Sequence, residues 1–191
     1  MKQRNDFVSN SSSSSFIVIN STNRCVPAVN KDDEPLLIPT YDGNCEFGWG
    51  FHKYNGFYDK LNFCALQLIE IRDMKDRIVE LKSDPGKMDD WAKRRIKEMQ
   101  EWVDKYDKYW NMLQKVVKDT CRIEIELRTD VGYGNGQMFA YIDHQSSVTE
   151  GMNMEMFKDE TTLNYFLTSE DSYIKTGNDN EDAPEGWVWD R

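Results

Sequence analysis

What this 191-residue chain lacks first is a long apolar run. No stretch approaches the roughly 18–20 consecutive apolar residues of a membrane-spanning helix. An excess of cations is missing too: 24 Lys and Arg stand against 34 Asp and Glu, a net charge of -10. A general DNA or RNA binder needs a basic footprint to displace counterions, and adhesion to an anionic membrane needs the same sign. The balance argues against both. Histidine is scarce, with only His52 and His144. The four cysteines, Cys25, Cys45, Cys64 and Cys121, form no C-x-x-C pair. Zinc sites usually draw on local ligand pairs, so these read as free thiols of a reducing compartment. Lys2 and Arg4 are followed by a polar serine tract, not by the apolar core of a signal peptide. The expected location is the cytoplasm.

What is present is a large apolar payload and an uneven charge. Aromatic residues make 13% of the chain, including six Trp, which is core-forming material and not the composition of a disordered chain. Residues 121–191 hold 5 basic and 15 acidic side chains, so the last third alone carries the whole excess of negative charge.

The periodicity changes along the chain. Phe16 to Ile19 is a short β-branched run and predicts a buried strand, as does Leu36-Leu37-Ile38. Phe47-Gly48-Trp49-Gly50-Phe51 reads as a strand that another backbone approaches closely. From Tyr58, Leu61, Cys64, Leu68, Ile71 and Ile78 recur at helical spacing, which predicts a helix to about Lys82. Asp84 and Pro85 are placed to cap and start a second helix running to about Asp119. Its apolar positions, Ala92, Ile96, Met99, Val103, Tyr106, Trp110, Leu113 and Val117, form an unbroken heptad seam. Cys121, Ile123, Ile125 and Leu127 then alternate with charged residues, and a second strand over 138–142 follows the glycines Gly132, Gly134 and Gly136. Those glycines read as the turn of a β-hairpin and not as a dinucleotide fingerprint, since no helix follows them. The Met-rich stretch Met152, Met154 and Met156 and Thr161 to Leu167 predict short helical turns, Tyr173-Ile174-Lys175 a further strand, and Gly186 to Trp189 a tail strand.

The expected fold is α+β: an antiparallel sheet of four to five strands with a long antiparallel helical hairpin. Residues 1–56 supply a serine-rich leader and N-terminal strands. Residues 57–120 supply the hairpin as an insertion, and 121–191 complete the same domain.

Four groups of residues carry candidate chemistry. Ser9, Asn10, Ser11, Ser12 and Ser13 could offer hydroxyls and backbone amides to an anion, although a serine tract is more often a linker. The tract lacks the Gly-Lys end of a phosphate-binding loop. Asp143, His144 and Ser146 follow a strand and could supply a general base and a nucleophile. Adjacent strand residues point to opposite sides, which weakens any direct pairing of Asp143 with His144. Asn178, Asp179, Asn180 and Asp182 resemble calcium-loop material but miss the glycine and glutamate positions of an EF-hand, so a solvated acidic loop is the default. No cofactor is predicted; an irregular Ca²⁺ or Mg²⁺ site in that loop is the alternative. Trp102, Tyr109 and Val116 run beside the heptad seam at steps of seven, and either pack on the sheet or meet a partner.

The string Arg4 to Val18, RNDFVSNSSSSSFIV, resembles the opening of uncharacterised proteins of bacteriophages, prophages and related bacteria that share a DFVSNSSSSSFI-like leader. Tyr141 to Ser146 and Ser172 to Asp179 are similar to stretches of the same proteins. The resemblance spans three islands and leaves the helical hairpin outside. It implies a phage or mobile-element origin and a host-cytoplasmic setting, and no mechanism travels with it.

The function expected from these features is non-enzymatic: binding of a macromolecular partner, a host protein, through the hairpin or the acidic C-terminal surface. The alternatives are a small hydrolase or nucleotide-processing enzyme using Asp143, His144 and the leader serines, and a virion structural or accessory protein, which predicts a homo-oligomer.

Overall fold

The computed structural model describes residues 13–25, 34–48, 50–83, 86, 88–131, 137–143, 154–178 and 184–185, with 13–15 and 178 given by their backbone alone. The elements run β1 (Ser13–Val18), β2 (Leu36–Ile38), β3 (Glu46–Phe47), β4 (His52–Tyr54), α1 (Phe57–Ser83), α2 (Asp90–Val103), α3 (Tyr106–Cys121), β5 (Ile125–Leu127), β6 (Tyr141–Ile142), α4 (Glu160–Thr168) and β7 (Tyr173–Asn178). A short 3-10 turn at Glu155–Phe157 precedes α4. The fold is α+β.

The antiparallel sheet has three strands in the order β1-β7-β4, fewer than the four to five expected. Its central strand is the last of the chain. Ile17, Ile174 and Tyr54 share one register row, and Ile174 is fully buried, so this face looks into the core. The other strands form two parallel pairs, β2 with β5 and β3 with β6. This corrects the hairpin expected between residues 121–128 and 138–142. Alternation tells which side of a strand is apolar but says nothing about its neighbour. Here each short strand joins one from the N-terminal part, which pairs Leu36 with Ile125 and Ile38 with Leu127 and puts Ile38 (0% exposed) and Ile125 (2%) in the one core. Between β5 and β6 the chain keeps one bridge, Val131 with Met138, and Met138 N–H donates to Asp130 O at 2.7 Å.

Helix α1 changes character along its length. Every residue from Lys60 to Ile69 is buried, which is the signature of a helix surrounded on all sides. Beyond Ile71 only Met74 and Ile78 are buried, the narrow stripe of a helix with one packed face. The first half of α1, expected to belong to an insertion, is thus the centre of the sheet-bearing part, with Leu61, Phe63, Cys64 and Leu68 in one core with Phe47, Phe166 and Ile174.

The second arm starts five residues later than expected. Its N-cap is Asp89, whose carboxylate accepts from Ala92 N–H at 2.8 Å; Asp84 and Pro85 lie outside the described residues. The arm also bends. At Lys105 the backbone N–H donates to Trp102 O, one residue short of the helical spacing, and α3 restarts at Tyr106. The heptad seam passes through the bend, with Ala92, Met99, Leu113 and Val117 buried. Cys121 ends α3 and does not open a strand. Arg122 turns the chain there in the left-handed conformation (φ 58°), its N–H donating to Lys118 O.

Candidate functional site

The expected catalytic and ligand residues fall largely on positions outside the described residues: Ser9, Asn10, Ser11, Ser12, His144, Ser146, Asp179, Asn180 and Asp182. The structure does locate the points from which those stretches leave the core. Ser13 and Asn178 are register partners. Two residues in, Ser15, Thr176 and His52 make one row. Thr176 Oγ1 donates to Gly50 O at 2.9 Å, and Asp143 N–H donates to Phe47 O at 2.7 Å, only three residues before Gly50. One end of the sheet therefore receives the exits of β6 and β7 and the entry of β1. Asp143 is buried there, 6% exposed.

His52, exposed on β4, is the one histidine among the described residues. Gly50 lies beside its ring with φ +81°, a backbone conformation that favours glycine; a Cβ there would come within 2.9 Å of His52 Nε2 and push the exposed ring aside. Burial pushes the Tyr54 hydroxyl up to about 12, so it stays a neutral phenol; it donates to Glu46 O at 3.4 Å.

A second polar centre was hidden in the sequence. Lys60 is 1% exposed, and its Nζ donates to Ser169 O at 2.7 Å and Ser172 O at 3.3 Å. These carbonyls lie just past the C-terminus of α4, where a cation or donor is favoured. Desolvation lowers the ammonium to about 8, against the opposing pull of Asp59. Asn20 and Thr22 meet the same turn: Asn20 N–H donates to Ser172 Oγ at 2.8 Å, and Ser169 Oγ donates to Thr22 O. Lys60 ties α1, α4 and the segment after β1 together. The only signal for it in the sequence is its place one turn before Cys64, on the face that Leu68 and Ile71 continue.

The helical stripe is turned inward. Val116 is 4% exposed, Tyr109 lies on Phe157 with ring centroids 4.9 Å apart, and Trp102 is half-buried against the core. Tyr109 covers the turn before α4, and α3 packs against α1, α4 and β5. Among the described residues, the large apolar side chains left exposed are Leu37 (43%), Tyr41 (72%), Val79 (68%), Trp91 (63%) and Phe139 (49%). They fall at the hairpin turn and along the two parallel strand pairs. The alternation that buries Met138 and Ala140 is the signal that turns Phe139 outward.

Among the described residues, no group of three or more His, Cys, Asp or Glu is placed to hold a metal ion. Nor is any of their helices long and apolar enough to cross a membrane. Compared with protein-family models, curated proteins and solved structures, the chain matches none.

Proposed function

We propose that the chain is a non-enzymatic protein of a phage or other mobile element that binds a host protein at the outer end of its helical hairpin. One observation carries this reading. Trp91, in the first turn of α2, and Val79, near the end of α1, flank the same turn and are both about two-thirds exposed. A tryptophan held in water on a rigid helix is the residue type that dominates binding energy at interfaces. The acidic last third adds a long-range field that speeds encounter with a basic partner. The phage origin rests on the resemblance of the leader. Capture from bacterial lysate, with the parent beside a Trp91→Ser, Val79→Ser variant, tests the reading. A host protein retained by the parent and lost by the variant is expected. Equal retention removes the hairpin from the account.

The enzymatic alternative draws support from the shared sheet end at Ser13, Asn178 and Asp143. Screening the parent and His144→Ala for hydrolysis of nucleotides and esters tests it. Activity lost in the variant would replace the binding reading.

A further inference from the structure

The outward side of the strand pairs carries a group of residues no motif announces. Arg128 is its anchor. Its Nη1 meets both carboxylate oxygens of Asp130 at 3.1 and 3.2 Å, its Nε donates to Pro39 O at 3.0 Å, and its guanidinium lies 5.1 Å from the Tyr41 ring centroid. Tyr41 remains 72% exposed with one face on that cation. Phe139 and Tyr141 stand edge to face at 5.8 Å. Backbone bonds join the pieces: Tyr141 N–H donates to Cys45 O, and Met138 N–H to Asp130 O.

Leu37, Tyr141 and Tyr41 each have a carboxylate nearby. Glu126 is the register partner of Leu37, and Glu46 that of Tyr141. Asp42 follows Tyr41 in the chain, and Asp130 grips the arginine beneath it. Paired residues of neighbouring strands lie only about 5 Å apart. Arg128 is committed to Asp130, and Arg72, which reaches the Arg128 carbonyl, is paired with Asp73 at 3.0 Å. The rim is therefore negative.

We infer that this surface docks an arginine-bearing segment of a partner protein. Aromatic faces attract cations, most strongly when flanked by carboxylates that complete the charge pairing. Arginine fits better than lysine because its planar guanidinium stacks and also forms forked bonds to carboxylates. Arg128 on Tyr41 is the internal precedent for the stack. This surface is distinct from the hairpin end, so either can fail without the other.

The test is titration of the full chain with an arginine-rich synthetic peptide and a lysine-rich peptide of equal length, followed by calorimetry. The arginine peptide should bind more tightly. Tyr41→Ala with Phe139→Ala changes no charge, yet should weaken binding about tenfold, the sum of two exposed cation–π contacts. Glu46→Gln with Glu126→Gln should weaken it and flatten its salt dependence. Trp91→Ser should leave it unchanged. Equal affinity of the aromatic variant and the parent would overturn the inference, because the peptide would then be responding to the net charge of -10 alone. Absence of binding by either peptide would overturn it, as would a dimer of the parent that dissociates in the aromatic variant. Circular dichroism melts of each variant confirm that the exposed substitutions leave the fold intact.

Discussion

The ammonium of Lys60 lies 2.7 Å from the carbonyl oxygen of Ser169, inside the protein and just past the end of α4. The geometry suits either protonation state. A neutral amine still has two N–H groups for its two carbonyl partners, so losing the proton spares both bonds and removes a buried charge. With the folded value near 8 and the unfolded one near 10.4, the unfolded chain holds a proton that the folded chain has lost between those pH values. The Lys60 contribution to stability therefore rises with pH across that window, by up to about 3 kcal/mol. The thiols work in the opposite sense. Burial raises Cys45 and Cys121 to about 11 each, so they lose stability as the unfolded thiols ionise above about 8.5. The Lys60 effect is accordingly read as a difference. Urea melts of the parent and Lys60→Met should show the parent gaining on the variant from pH 8 to 10. A constant gap would mean that Lys60 does not change protonation on folding in that range.

Thiol chemistry should sort the cysteines by position. Cys25 is exposed, Cys45 is partly buried, and Cys64 and Cys121 are buried. The thiolate is the reactive form, and burial suppresses it at Cys45, Cys64 and Cys121. A disulfide-exchange reagent at neutral pH should modify Cys25 rapidly and the other three only as the chain unfolds. Two fast thiols in the native protein would contradict the packing around Cys45.

The core should respond to Phe63 far more than to Val79. Phe63 is fully buried and meets the Phe47 ring at 5.2 Å. Phe63→Ala should cost about 3–5 kcal/mol in denaturant melts, whereas Val79→Ala should stay within about 0.5. Comparable costs would mean that the first half of α1 is not the centre of the core.

Asp89 should matter as the cap of α2. Its carboxylate accepts from Ala92 N–H, so Asp89→Ala should destabilise by about 1 kcal/mol in denaturant melts, and Asp89→Asn by less. No loss in Asp89→Ala would remove this residue from the start of the helix.

These contrasts show what a one-dimensional pattern conveys. Leu61, Cys64, Leu68 and Ile71 announced α1, and Tyr173-Ile174-Lys175 announced β7, because burial imposes a period on sequence. Pairing leaves no such period. Ile125 looks the same whether its neighbour is Met138 or Leu36, so the parallel pairs were out of reach. Lys60 was hidden because its cost is met by two backbone carbonyls more than a hundred positions away. Tyr41 and Phe139 were hidden for the opposite reason: outward strand positions and turns accept almost any residue, and only the fold sets Tyr41 on the Arg128–Asp130 pair and Phe139 against the Tyr141 ring.

The pairing of β1 with β7 also sets an order of events during synthesis. The central strand of the sheet is finished only when residue 178 has been made, and until then neither β1 nor β4 has its partner. The outer part of the helical hairpin, where the far half of α1 meets α2, is built from neighbouring segments and needs nothing so distant. Local contacts form quickly and distant ones wait for loop closure. The nascent chain should therefore carry that outer part formed beside two open strand edges, with the first half of α1 still uncovered. A chain that stops short of Tyr173 would keep those edges for good, exposed to pairing with other molecules.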